Sequence, residues 1–147
     1  MLKAVGGVVG GYVAMRLFFF ITAAISFLVM GPDRAFALST YDVTWLWLVV
    51  SLVLSFVAAI VAGAVCRRIA KGSGAVMTLA TLVLIVGVVS AVPALSASSQ
   101  DPAARAEEVP VMDAMTNARQ PAWTALLLPW AGLVGVMIGG KGQMDGR

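Results

Sequence analysis

The chain has 147 residues, 61% hydrophobic and only 12% charged, with a net charge of +3, no histidine and one cysteine. A soluble domain is nearer half apolar and a quarter charged, so this composition excludes an ordinary soluble domain and leaves room for one helical membrane domain. The missing histidines exclude His-based acid–base catalysis and His metal sites, and the single Cys66 excludes an intrachain disulfide.

The apolar runs are continuous rather than alternating, which argues for transmembrane helices and against a β-barrel. Four such runs are expected to span, at about 5–30, 44–66, 75–95 and 123–140. Each approaches the length needed to cross about 30 Å of hydrocarbon at 1.5 Å per residue. The fold expected is all-α, a four-helix transmembrane bundle within one domain, 1–147.

The first run follows Lys3, and Ala35-Phe36-Ala37 looks like a signal-peptidase site. The run is too long for a signal h-region, and Asp33 and Arg34 sit just before the small residues, so it is expected to remain as a span. Its start holds two overlapping GxxxG pairs, Gly6/Gly10 and Gly7/Gly11. Glycines four apart make a flat strip on a helix, against which another backbone can approach closely. That approach can come from within the chain or from a second subunit.

Arg16 is the one charge inside a span. Such a residue suggests function with a partner unless its depth allows escape to the interface. Leu17 to Met30 supplies fourteen residues, or about 21 Å of helix, which places Arg16 roughly 9 Å inside a 30 Å core. A guanidinium can snorkel from that depth to phosphate or water. Its other readings are an anion-attracting residue near an inner vestibule and a contact to a partner subunit. No Asp or Glu lies in any span to pair with it.

Gly31-Pro32 breaks the first helix, and Asp33, Arg34 and Asp42 mark water. Trp45 and Trp47 are then expected at the membrane boundary, where indoles prefer to sit, with Arg67 and Arg68 anchoring the other end of the second span. Along this span Ser51, Ser55, Ala59 and Gly63 fall four apart on one face suited to close packing. Cys66 reads as a small packing residue, with a lipidated or reactive thiol as the alternative. Gly72-Ser73-Gly74 is expected to end one helix and open the next.

The third span carries Thr78, Thr81, Gly87 and Ser90 as its small polar or flexible points, and Pro93 near its far end. Such hydroxyls can bond back to their own helix and need no function. Residues 96–122 form a polar outer loop, with Asp101-Pro102 resembling a helix start and Pro110 an end. At about 27 residues it is longer than a passive turn. The fourth span opens at Trp123, contains Pro129, and shows a further small-residue strip at Ala131, Gly135 and Gly139.

The charges orient the bundle. With both termini inside, the inner side holds Lys3, Arg67, Arg68, Lys71, Lys141 and Arg147, and the outer side holds Arg34, Arg105 and Arg119. That bias is the positive-inside pattern and predicts N-in/C-in. The basic residues therefore lie beside spans, and there is no aromatic-interleaved basic patch of the kind that binds nucleic acid. The glycines match no nucleotide fingerprint, and no cofactor is implied.

The overall layout, with the segment YDVTWLWLVVS…CRRIA, resembles small uncharacterised four-helix inner-membrane proteins of bacteria. The resemblance implies a location in the cell inner membrane and no activity. The pattern of Gly6, Gly7, Gly10 and Arg16 is loosely similar to the first span of small fluoride channels, but their membrane Asn is absent. Small multidrug exporters carry a Glu in the first span, and this chain has none. The sequence therefore points to a non-enzymatic structural or accessory membrane protein, in contact with the lipid bilayer and with itself or another membrane protein. The alternative is a small homo-oligomeric channel or transporter with Arg16 near an inner vestibule.

Overall fold

The computed structural model describes residues 2–36, 42–97 and 121–141. They form four long helices: α1 (Leu2–Met30), α3 (Trp45–Ala70), α4 (Ser73–Ala97) and α5 (Ala122–Lys141), with a one-turn α2 (Pro32–Ala35) after α1. Each of the four contains a stretch long and apolar enough to cross a membrane. The polar segment expected at 96–122 lies almost wholly outside the described residues, as does the tail after Lys141.

Each boundary has a local cause. Gly31 takes φ +77° and ends α1, its N–H donating to the Phe27 carbonyl at 2.9 Å. Thr44 caps α3: it is extended, and its hydroxyl accepts the Trp47 N–H at 3.3 Å, which satisfies one of the free donors of the first turn. The turn between α3 and α4 differs from expectation. The left-handed residue is Lys71 (φ 53°) rather than a glycine, and its N–H donates to the Arg67 carbonyl at 2.9 Å. Helix α4 also runs past Pro93 to Ala97, so that proline does not stop it.

The helices pack in the order α1, α3, α5, α4, with slighter contacts from α1 and α3 to α4. The main core joins Ala59, Ala62 and Cys66 of α3 to Ala75, Val76, Leu79, Ala80 and Val83 of α4 and Val136 of α5. A second, aromatic cluster closes the other end through Phe27, Ala35, Phe36 and Trp47.

That cluster changes the role of one expected boundary residue. Trp45 is 69% exposed, whereas Trp47 is 7% exposed and turned inward. Its ring meets Phe27 edge-on with centroids 5.9 Å apart, and Phe27 meets Phe36 at 6.0 Å. Two residues apart on a helix are about 200° apart in direction, so the two tryptophans face opposite ways. The end of α2 is joined to the start of α3: Phe36 pairs with Val43 in an antiparallel bridge, and the Thr44 N–H donates to the Ala35 carbonyl at 2.9 Å.

Candidate functional site

Three places in the bundle concentrate unusual residues: the glycine seams, a small cavity, and Arg16.

The first seam joins α1 to α3. A Cβ placed on Gly7 would lie 2.7 Å from the Ala70 Cβ and 3.0 Å from the Cys66 carbonyl oxygen. On Gly11 it would lie 2.8 Å from both the Ala62 carbonyl oxygen and Leu79, and 3.0 Å from the Cys66 Cβ. The other predicted pair behaves differently. Gly10 meets only the movable tip of Ile69, at 2.9 Å, and Gly6 has Ile69 at an ordinary 3.9 Å. Of the two overlapping GxxxG pairs, Gly7/Gly11 forms the seam. Cys66 is fully buried against it, which makes this thiol a packing atom.

The second seam joins α3 to α5 and uses both predicted strips at once. Gly63 faces the backbone of Val136 and Gly140, Gly139 faces the backbone of Ile60, and Gly135 meets the Ala59 Cβ at 2.7 Å and the Phe56 carbonyl oxygen at 3.0 Å. The strips on the two helices are each other's partners. Ser55 and Ala131 lie at its margin, half-buried. Gly132 and Gly140, read only as parts of the span, also take close contacts, from Val83 and Val76. A third contact went unread: Gly87 of α4 receives the Pro129 ring of α5, 2.9 Å from where a Cβ would stand. The signal for it is a small residue and a ring on helices of similar length, which no spacing within one helix reveals.

The cavity lies between α1, α3 and α5, lined by Phe19, Leu48, Ser51, Leu52, Ser55, Thr124 and Leu128, with a volume of about 40 Å³. Its hydroxyls are largely engaged nearby: Ser55 donates to the Ser51 carbonyl at 2.7 Å and Thr124 to the Pro121 carbonyl at 2.6 Å. Elsewhere Thr22 donates to the Phe18 carbonyl at 2.7 Å, and Thr78 and Thr81 to the Gly74 and Met77 carbonyls at 3.0 Å each. This back-bonding satisfies hydroxyls in an apolar setting without any ligand.

Arg16 is outside that cavity, exposed on α1. Its Nε and Nη2 donate to the Tyr12 hydroxyl at 3.0 and 2.7 Å, and the guanidinium carbon stands 5.3 Å from the centre of the Tyr12 ring. Among the boundary residues, Trp45 and Trp123 lie near one another, with ring centroids 6.3 Å apart, while Arg67 and Arg68 occupy the last turn of α3 and Lys141 that of α5. One end of the bundle is therefore basic and the other aromatic.

No protein-family model, no curated protein and no solved structure matches the chain.

Proposed function

We propose that the chain is a non-enzymatic, multi-pass protein of a bacterial inner membrane, with both termini cytoplasmic, that acts as a structural or accessory subunit for another membrane protein. The supporting observation is that the threonines of the long helices, and Ser55, have their hydroxyls already engaged. The hydroxyls of Thr22, Ser55, Thr78, Thr81 and Thr124 bond carbonyls of their own segments, and Gly7, Gly11, Gly63 and Gly139 are filled by neighbouring helices of the bundle. The remaining polar variety of the sequence is concentrated at 96–122, with Asp101, Arg105, Glu107, Glu108, Asp113 and Arg119. In this reading the bundle is a compact membrane anchor, and the polar outer segment selects the partner. Deletion of residues 102–120 followed by affinity purification from the native membrane tests it. Loss of a stoichiometric partner with the bundle still folded is expected; an unchanged set of partners contradicts the reading.

A second reading, the small homo-oligomeric channel or transporter, draws on one observation. Arg16 is exposed on α1, which is the least buried of the four long helices. Copies arranged around α1 would bring several Arg16 residues together near an inner vestibule. Flux in liposomes that is unaltered by Arg16→Ala removes this reading.

A further inference from the structure

We propose that Arg16 and Tyr12 form a clamp for the phosphate of an anionic phospholipid on the outer surface of α1, in the leaflet at the basic end of the bundle. This inference rests on the four helices crossing a membrane and on nothing about the partner or flux readings above.

The surroundings of Arg16 are the first argument. Val9, Val13, Leu17 and Phe20 are all exposed large apolar residues around it on α1. In a membrane-length helix such a surface faces hydrocarbon, and a guanidinium there needs a partner that compensates its charge. Tyr12 alone does not supply one, because a phenol is neutral.

The second argument is the donor inventory. A guanidinium carries five N–H donors and no acceptor. Here two are directed at the Tyr12 oxygen. That oxygen accepts from Arg16, which leaves its own O–H free to donate outward. The pair together therefore presents three guanidinium N–H groups and one phenolic O–H, all donors, beside one positive charge. Phosphate oxygens are the complementary chemistry, and arginine suits them through its planar fork. A lipid with net negative charge balances the guanidinium, whereas a zwitterionic lipid brings its own cation.

The third argument is height. Helical side chains lean toward the N-terminus, and Arg16 does so, reaching back one turn to Tyr12. Gly7 stands beside Ala70 and Cys66, and Gly11 beside Ala62 and Cys66, so Arg67 and Arg68 are level with about Gly7 to Gly10 on α1. Gly63 stands beside Gly140, which brings Lys141 near the level of Gly11. Tyr12 is thus within about a turn of the basic rim, and Arg16 is about 6 Å deeper. From there the leaning guanidinium and the phenol converge at the depth where phosphates begin.

The test uses the full-length protein in mild detergent, with native mass spectrometry reading retained lipid after titration with phosphatidylglycerol or phosphatidylcholine. The wild type is expected to hold one phosphatidylglycerol per chain in preference to phosphatidylcholine. Arg16→Leu should abolish the preference. Tyr12→Phe, which keeps the ring and loses only the hydroxyl, should weaken retention about tenfold, the size of one hydrogen bond to a charged group. Equal retention of the two lipids by the wild type, or undiminished phosphatidylglycerol binding in either variant, overturns the proposal. So does displacement of the lipid by excess inorganic phosphate, which would assign the donors to a soluble anion. An unfolding midpoint within a few degrees of wild type confirms that each variant is folded when its binding is read.

Discussion

At the basic end of the bundle α1, α3 and α5 meet through Gly7, Gly11, Gly63 and Gly139, which stand against backbone atoms and the first carbons of small side chains. At the opposite end α1 and α3 meet through the rings of Phe27 and Trp47, with Phe36 completing the cluster. Both ends are buried, but they respond to change differently. A seam made by the absence of side chains has little that can move aside, because most of its neighbours are backbone atoms and Cβ carbons. A ring cluster loses contacts when trimmed yet can repack. Where helices pack inside a membrane, water supplies no hydrophobic drive between them, so close van der Waals approach and shape carry the association. The difference between the ends is then a difference between overfilling and underfilling.

The largest effect is expected from added volume in the α3–α5 seam. Gly63→Val and Gly139→Val each drive a side chain into the facing backbone, of Val136 or of Ile60. We expect each to cost about 3 kcal/mol or more and to abolish protease resistance in mild detergent. Trimming the aromatic end should cost no more than that. Trp47→Ala is expected to cost about 3 kcal/mol, read from unfolding monitored by circular dichroism, and Trp47→Phe less than half of that. The control is Trp45→Ala, at a position 69% exposed, which should stay within about 0.5 kcal/mol. The smallest effect belongs to the turn between α3 and α4. Lys71 holds a left-handed conformation, and Lys71→Gly should gain up to about 1 kcal/mol, seen as a slightly raised unfolding midpoint.

The four helices were legible in the sequence because a span needs about twenty apolar residues and little else. Their ends moved by at most a few residues: α1 begins at Leu2, and α3 continues through Arg67 and Arg68 to Ala70. Which face of each helix turns inward was far less legible. In a span the lipid-facing side is as apolar as the packed side, so hydrophobic periodicity carries little information, and small residues become the remaining marker. That marker found Ala59, Gly63, Gly135 and Gly139, but it left Gly6/Gly10 and Gly7/Gly11 equivalent, since each pair has the same spacing. That Trp47 turns inward is not carried by the tryptophan pair as a boundary signal, although a separation of two residues already sets the two on opposite sides of a helix. Gly87 receiving Pro129 required knowing that α4 lies on α5, which nothing local encodes. Arg16 was legible as an anomaly, but its bond to Tyr12 is a choice of rotamer.

The glycine seams of the helices are turned inward and filled within one chain. The adjacent glycines of α1 test this most directly, because Gly6 and Gly7 share chemistry and helix position but differ in surroundings. A methyl on Gly6 meets nothing closer than 3.9 Å, whereas one on Gly7 would lie 2.7 Å from Ala70. The measurement is the unfolding midpoint of Gly6→Ala and Gly7→Ala, purified in the same detergent. The account predicts that Gly6→Ala is neutral or stabilised by up to about 1 kcal/mol through helix propensity, while Gly7→Ala loses about 2 kcal/mol. Equal effects at the two positions, or the opposite order, would contradict it.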